Sequence, residues 1–313
     1  MYIVDNYING KSCSISTESS LIINPSYGRE IGEVHYATAE TTNLAVESAY
    51  QAAKSWSKTG LTLRAELILK FRQGVIDRSS EIIDICINEA GKTKPDAEAE
   101  LDRAVQALTH VAGVQHFYPT HFSQNVAGGI DIADLRFPIG VVAGVGPFNF
   151  PILIPILHSA MALVTGNTYI AKPSEKVPSI SRLYADIYED IGLPDGCFNV
   201  INGGKEIVEQ LVRHEKVNGL AFIGSTVAAK SLKILGVEHN TKVQALGGGK
   251  NHMIVLPDAD LDMSADAAVS ASFGAAGQRC MAVSVVVAVG DIADELLDKI
   301  KERMPSLVMG VTD

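Results

Sequence analysis

Five short apolar runs do most to limit what this 313-residue chain can fold into: IGVVAGV from Ile139, TYIAK from Thr168, CFNVI from Cys197, GLAFIG from Gly219 and KVQAL from Lys242. Each has the length of a strand, and a stretch of helical character separates each from the next. A series of strand-helix-strand units closes into a parallel sheet with helices on both faces. The expected fold class is therefore α/β, a doubly wound parallel sheet. Such sheets bind ligands beyond the carboxyl ends of their strands, so the residues just after each run are the ones to inspect.

Before Ile139 the texture differs. DNYING carries an Asn-Gly turn signal, and INPSYGREIGEV sets Pro and Gly between two short apolar runs. Helical periodicity follows, with Leu44, Ala49, Ala52, Ala53 and Trp56 expected on one face. Gly91 is expected to end a helix that includes EIIDICINEA. A third helix is expected from about Asp96, with Leu101, Ala104, Val105, Leu108, Val111 and Ala112 as its buried stripe.

Composition narrows the partners. With 47% hydrophobic and 20% charged residues the chain has the balance of a globular protein. A net charge of -10 argues against a nucleic-acid partner, which needs a concentrated basic surface. No run of about 20 apolar residues offers a membrane span. The start, MYIVDNYINGKS, has neither the basic n-region and apolar core of a signal peptide nor an arginine-rich transit character. These observations predict a cytoplasmic protein with no membrane partner. Cys13, Cys86, Cys197 and Cys280 lie far apart with no C-x-x-C pairing, so neither a zinc site nor a disulfide framework is expected. No metal ligands are assigned.

The strand ends carry the chemistry. After the first run comes GPFNFP, Gly146 to Pro151, where two prolines stiffen the backbone around Asn149. Asn149 there is either an ordinary turn residue or an amide donor for a developing oxyanion. After the second comes KPSE, in which Lys172 and Glu175 are either solvated charges or holders of a ribose diol. In the latter role Glu175 would repel a 2′-phosphate and favour NAD over NADP. After the fourth comes Gly224-Ser225-Thr226, an N-cap at least and a plausible pyrophosphate seat through the N–H groups of the helix it opens. No G-x-G-x-x-G follows any of these strands, and GGGKN fails as a phosphate loop because Asn251 stands where Ser or Thr is required. Finally FGAAGQRCMAV places Cys280 directly after Arg279 and a run of small residues, a setting that a substrate and a cofactor can both approach.

In this order GPFNFP, GNTYIAKPSE, FIGST, GGGKNH and FGAAGQRCMA resemble the motifs of the aldehyde dehydrogenase superfamily over nearly the whole chain. The resemblance implies Cys280 as nucleophile and Asn149 as oxyanion donor. It also implies NAD contacts from Phe148, Lys172, Glu175, Gly224 and Ser225. Most family members carry a Glu four residues before the Lys of the GGK motif, where it activates the hydrolytic water; here that position is Leu246, which cannot take a proton. GGGKNH and GAAGQRCMA are most similar to the CoA-acylating methylmalonate-semialdehyde dehydrogenase group. That likeness implies transfer of the acyl group to coenzyme A, a co-substrate whose thiol ionises more readily than water. It also implies a carboxylate-bearing semialdehyde as the small-molecule substrate, clamped by Arg279 and by Arg103. For Arg103 a solvated helix face, paired with Glu100 or Asp96, is the alternative. The small residues 274–277 are expected to leave room for nicotinamide and substrate around the sulfur.

By this likeness residues 1–245 form an NAD-binding domain, with an oligomerisation-type β arm at about 121–138. Residues 246–313 form the N-terminal part of a catalytic domain, which in the family runs well past the nucleophile. The chain is thus expected to be truncated, with a homo-oligomer expected once the full catalytic domain is present. A second expectation, of a different class, stands beside the enzyme: a catalytically silent remnant that binds NAD or a full-length relative. A hydrolytic aldehyde dehydrogenase is the third, opposed by Leu246.

Overall fold

A computed structural model describes residues 1–118 and 120–312; Asp313, the last residue of the expected catalytic segment, lies outside the described residues. Two compact units divide the chain between Leu246 and Gly247.

The first unit opens with β1 (Tyr2–Val4), β2 (Asn6–Ile8), β3 (Lys11–Cys13), β4 (Ser19–Asn24) and β5 (Arg29–His35). Asn9 and Gly10 take φ of 52° and 75°, the left-handed pair that a two-residue hairpin demands, and they join β2 to β3. Strands β4 and β5 pair antiparallel, and β1 runs parallel to β5 on its other side, as a small separate sheet.

Helices α1 (Ala39–Trp56), α2 (Leu61–Asp77), α3 (Ser79–Ala90), α4 (Lys94–Ala112) and the single turn α5 (Val114–Phe117) follow. The first is started by a capping box in which Thr38 and Thr41 each accept the other's backbone N–H through the side-chain oxygen. Its buried stripe is Ala45, Ala49, Ala53 and Trp56, whereas Leu44, expected on that face, is 43% exposed. Leu44 precedes Ala45 by one residue and so lies about 100° around the axis from the stripe. Gly91 ends α3 with φ of 66°, as its position predicts. The stripe read from Asp96 onward is the buried face of α4, with Val105 partly buried at its margin, and the helix starts two residues earlier behind the Thr93 cap. Next come β6 (Phe122–Ala127) and β7 (Ile130–Ala133), an antiparallel pair whose Phe122, Val126, Ile130 and Ile132 are all exposed.

The five apolar runs become β8 (Val141–Val145), β9 (Thr168–Lys172), β10 (Phe198–Val200), β11 (Val217–Ile223) and β12 (Lys242–Leu246). Between them lie α6 (Leu153–Val164), α7 (Ser179–Asp190), α8 (Lys205–Arg213) and α9 (Thr226–Glu238). All five strands are parallel, in the order β12-β11-β8-β9-β10, with β2 added antiparallel beside β10 and β3 at the edge. One core joins Ala45, Val46, Leu211 and Leu232 to one face of the sheet. A larger one joins Phe71, Leu108, Ile156 and Tyr184 on α2, α4, α6 and α7 to Tyr169 and Phe198. The order reverses at β8: the chain first builds outward to β9 and β10, then crosses to β11 on the other side. In sheets of this kind, ligands bind at such a reversal, beyond the carboxyl ends of the strands on either side, here β8 and β11. Among the described residues no helix is long and apolar enough to cross a membrane.

His158 on α6 has a buried Nδ1 without a hydrogen-bond partner, and burial pushes its imidazole down to about 4. The unfolded chain, with an ordinary imidazole near 6.5, binds that proton more readily. Stability is therefore expected to be full above about pH 6.5 and to fall as the pH drops toward 4. Urea midpoints of His158→Leu should lose that part of the slope; an unchanged slope would refute the assignment.

The second unit holds β13 (Asn251–Val255), α10 (Leu261–Phe273), β14 (Val283–Ala288) and α11 (Ala293–Arg303). Strands β13 and β14 are parallel, and Val255, Ala265 and Leu296 form its small core. Asp260 caps α10, its carboxylate accepting from the N–H groups of Asp262 and Met263 at 3.0 Å.

Candidate active site

In the first unit three loops leave neighbouring strand ends. The 146–151 loop follows β8 and is tied to β9 by the Gly146 N–H on the Lys172 carbonyl at 3.0 Å. Phe148 is exposed, with the Lys176 ammonium 4.9 Å from its ring centroid, and Asn149 is half-buried. The far end of the loop is held from below. Glu100 on α4 accepts the backbone N–H groups of Ile152 and Leu153 at 2.8 Å each, both through Oε1. Its other oxygen accepts from Lys92 Nζ at 2.6 Å, and that ammonium also lies 4.5 Å from the Phe150 centroid. The side chains of Lys92 and Glu100 are only 8% and 1% exposed. A carboxylate at the start of α6 answers both the unpaired N–H groups and the positive end of the helix.

At the end of β9 the Lys172 ammonium is buried, donating to the Gly203 carbonyl at 2.7 Å and to Glu175 at 3.2 Å. Burial pushes Lys172 below the ordinary lysine range, against the pull of Glu175. Burial pushes the Glu175 carboxyl up, but the Lys172 charge and hydrogen bonds outweigh it, and the net direction is down. At the end of β11 the Gly224 N–H donates to the Leu246 carbonyl at 3.0 Å, and Ser225 caps α9 by accepting from Ala228 N–H. A Cβ on Gly224 would stand 2.5 Å from the Phe222 ring, which is why a side chain is excluded there. Since Phe222 pairs with Val145, this turn and the Asn149 loop leave adjacent strands.

Arg103 sits one turn beyond Glu100 on α4, exposed, with its guanidinium on Gln106 at 3.1 Å. Of the two carboxylates named as alternative partners of Arg103, Glu100 does not serve, because it is buried and committed to Lys92 and the start of α6. Leu246 closes β12 with 52% of its surface exposed.

The second unit carries Arg279 and an exposed Cys280 thiol on the loop between α10 and β14. Ala275, Ala276 and Gly277 all take left-handed φ, 51°, 53° and 73°, an unfavourable conformation for alanine that winds the chain tightly before Gln278. Gly274 has a definite reason to lack a side chain, since a Cβ there would stand 2.7 Å from Arg279 Nη1. The glycine makes room for the guanidinium next to the nucleophile candidate. Neither the buried Lys92–Glu100 pair nor the side chain of Asn251 is singled out by the sequence motifs; the nearest signal is that Lys92 and Glu100 flank a Thr93 cap.

The aldehyde dehydrogenase family profile matches residues 14–313 of the chain. This chain belongs to the aldehyde dehydrogenase family. It is 37% identical over 306 residues to a malonate-semialdehyde dehydrogenase of Bacillus pumilus (strain SAFR-032), covering 97% of this chain and 63% of that protein. It is 38% identical over 306 residues, with the same coverage, to malonate-semialdehyde dehydrogenase 1 of Geobacillus thermodenitrificans (strain NG80-2). Among solved structures it superimposes on the methylmalonate-semialdehyde dehydrogenase of Oceanimonas doudoroffii with a TM-score of 0.97 at 37% identity, covering all of this chain and 64% of that one. A Sinorhizobium meliloti 1021 protein, provisionally assigned as a methylmalonate-semialdehyde dehydrogenase and solved with NAD, gives 0.96 at 38% identity, again covering 100% and 64%. The chain thus spans about 63% of the length of the curated relatives it matches.

Proposed function

We propose that this family member takes part in NAD-dependent oxidation of a small carboxylate-bearing semialdehyde, of the malonate or methylmalonate semialdehyde type, with transfer of the acyl group to coenzyme A. The observation that carries the reading is the exposed Cys280 thiol with an arginine beside it, on a loop where Gly274 leaves space for the guanidinium. The two named relatives that act on malonate semialdehyde support the substrate class.

The residues fit NAD. Lys172 is a buried ammonium at the strand ends with two of its three protons given to Gly203 and Glu175, which leaves one for a ribose hydroxyl. Glu175, kept ionised by Lys172, would accept from the same diol and repel a 2′-phosphate. Phe148, Gly224 and Ser225 follow the carboxyl ends of β8 and β11, the two strands between which the order reverses, and the start of α9 would offer N–H groups to a pyrophosphate. We assign residues up to about 245 to this NAD-binding role and the remainder to the nucleophile. When bound, NAD supplies the acceptor for the hydride that leaves the substrate carbon.

In this reading Cys280 attacks the aldehyde carbon as thiolate, and the carbonyl electron pair moves to oxygen. Asn149 and the Cys280 backbone N–H stabilise that oxyanion. Arg279, aided by Arg103, holds the distal carboxylate through paired hydrogen bonds. Loss of hydride leaves a thioester on Cys280, which the thiolate of coenzyme A cleaves, releasing the sulfur of Cys280. A malonate-type acyl group would also lose carbon dioxide. Leu246 supports the thiol acceptor, since no carboxylate stands there to activate water. The exposed apolar side chains of β6 and β7 support self-association.

Mixing the chain with malonate semialdehyde and NAD is expected to form NADH only when coenzyme A is added. Equal rates with and without coenzyme A would favour hydrolysis. NAD binding without NADH formation would favour a silent nucleotide-binding protein.

A further inference from the structure

In the sequence Asn251 spoils a phosphate-loop motif and stands within GGGKNH, with no role of its own assigned. In the structure its side-chain nitrogen donates to the backbone carbonyl of Cys280 at 2.8 Å and to that of Ala282 at 3.0 Å. One amide NH2 has two protons, and both are used on the two carbonyls that flank Met281. Asn251 opens β13 opposite Val283, and the parallel ladder is irregular between Asn251 and His252. The clamp therefore sits where regular strand pairing has not yet taken hold. Gly249 lies against the same backbone, since a Cβ there would be 3.9 Å from the Cys280 carbonyl oxygen. A further tether, the Ser272 hydroxyl on the Val283 carbonyl at 3.0 Å, holds the start of β14.

We propose that Asn251 is the positioning residue of the nucleophile: its amide fixes the peptide groups on both sides of Met281 and so sets the orientation of Cys280. The inference rests on the reading of Cys280 as nucleophile. Carbonyl oxygens carry partial negative charge, and these two are turned onto N–H donors. Freed, they can rotate toward the sulfur and disfavour its thiolate form, the reactive one. The charged and titratable residues beside these segments, Lys250, His252 and Arg279, are unchanged by substitution at 251.

The experiment compares the full chain with Asn251→Ala and with Asn251→Asp, which keeps the shape but replaces the donors by oxygen. Iodoacetamide labelling of Cys280 is followed by peptide mass spectrometry, with partly exposed Cys13 as the internal reference. Burial pushes the Cys86 and Cys197 thiols up to about 12, so they do not compete. At pH 7 the Cys280-to-Cys13 rate ratio is expected to fall about tenfold in Asn251→Ala and further in Asn251→Asp. The deficit should shrink at pH 9–10, where ordinary thiols, with values near 8.5, are largely ionised. Thermal midpoints of the three proteins should agree within a few degrees. A ratio unchanged within about twofold, or faster labelling of both variants at every pH, would overturn the inference and leave the nucleophile reading intact. A wild-type Cys280 no faster than Cys13 would instead refute the nucleophile reading, and the inference with it.

Discussion

Glu100→Ala is expected to destabilise the first unit by about 3–5 kcal/mol, the range for removing one member of a buried ion pair. The loss has two sources. The Lys92 ammonium stays buried with its carboxylate gone, and the Ile152 and Leu153 N–H groups lose their acceptor at the start of α6. Glu100→Gln should cost less, because a carbonyl oxygen can still receive both N–H groups. The paired replacement Lys92→Met with Glu100→Leu should cost less than the sum of the single changes, since no unpaired charge remains. Urea unfolding followed through Trp56, the single tryptophan and a core residue of this unit, reads wild type, Glu100→Ala, Glu100→Gln, the two single replacements Lys92→Met and Glu100→Leu, and their combination. A loss below about 1 kcal/mol in Glu100→Ala would mean that the pair is solvated in solution.

Cys280→Ala is expected to lower aldehyde-dependent NADH formation by roughly 10⁵–10⁶-fold, the scale on which removal of a catalytic nucleophile acts. The same change should leave the unfolding midpoint where it was, because the thiol is exposed and is not part of the core. Glu100 is buried inside the first unit and bonded to its backbone, whereas Cys280 is an exposed thiol of the second. Turnover in Cys280→Ala above about 1% of wild type would remove Cys280 from the nucleophile role.

Much of the fold is legible in the residues themselves. The five apolar runs that begin near Ile139 and Lys242 at the extremes are the five parallel strands, because alternation of strand and helix leaves few ways to bury both faces of each strand. Asn9-Gly10 and Gly91 are legible because left-handed turns tolerate few residue types. Leu44 is not legible in this way: apolarity alone does not say which side of a helix meets the core, and a one-residue offset turns it away.

The site divides in the same way. Lys172, Glu175, Gly224, Ser225 and Asn149 stand at strand ends because strand length and turn chemistry are encoded over a few residues. Glu100, by contrast, has the sequence context of a helix-surface charge three residues from Arg103. Only the folding of α6 and the Gly91–Thr93 turn over it makes it a buried acceptor, facing backbone more than 50 residues away. Gly274 and Asn251 show the same limit, since their partners, the Arg279 guanidinium and the carbonyls of Cys280 and Ala282, are brought to them by loop closure. Sequence alone determined the parallel α/β plan and the family, and it named the candidate reactive residues, because periodicity, turn preference and side-chain chemistry are local. Which charges are buried, which carbonyls are clamped and which glycines leave room for a neighbour was decided by tertiary structure, because burial depends on what distant segments place on the other side.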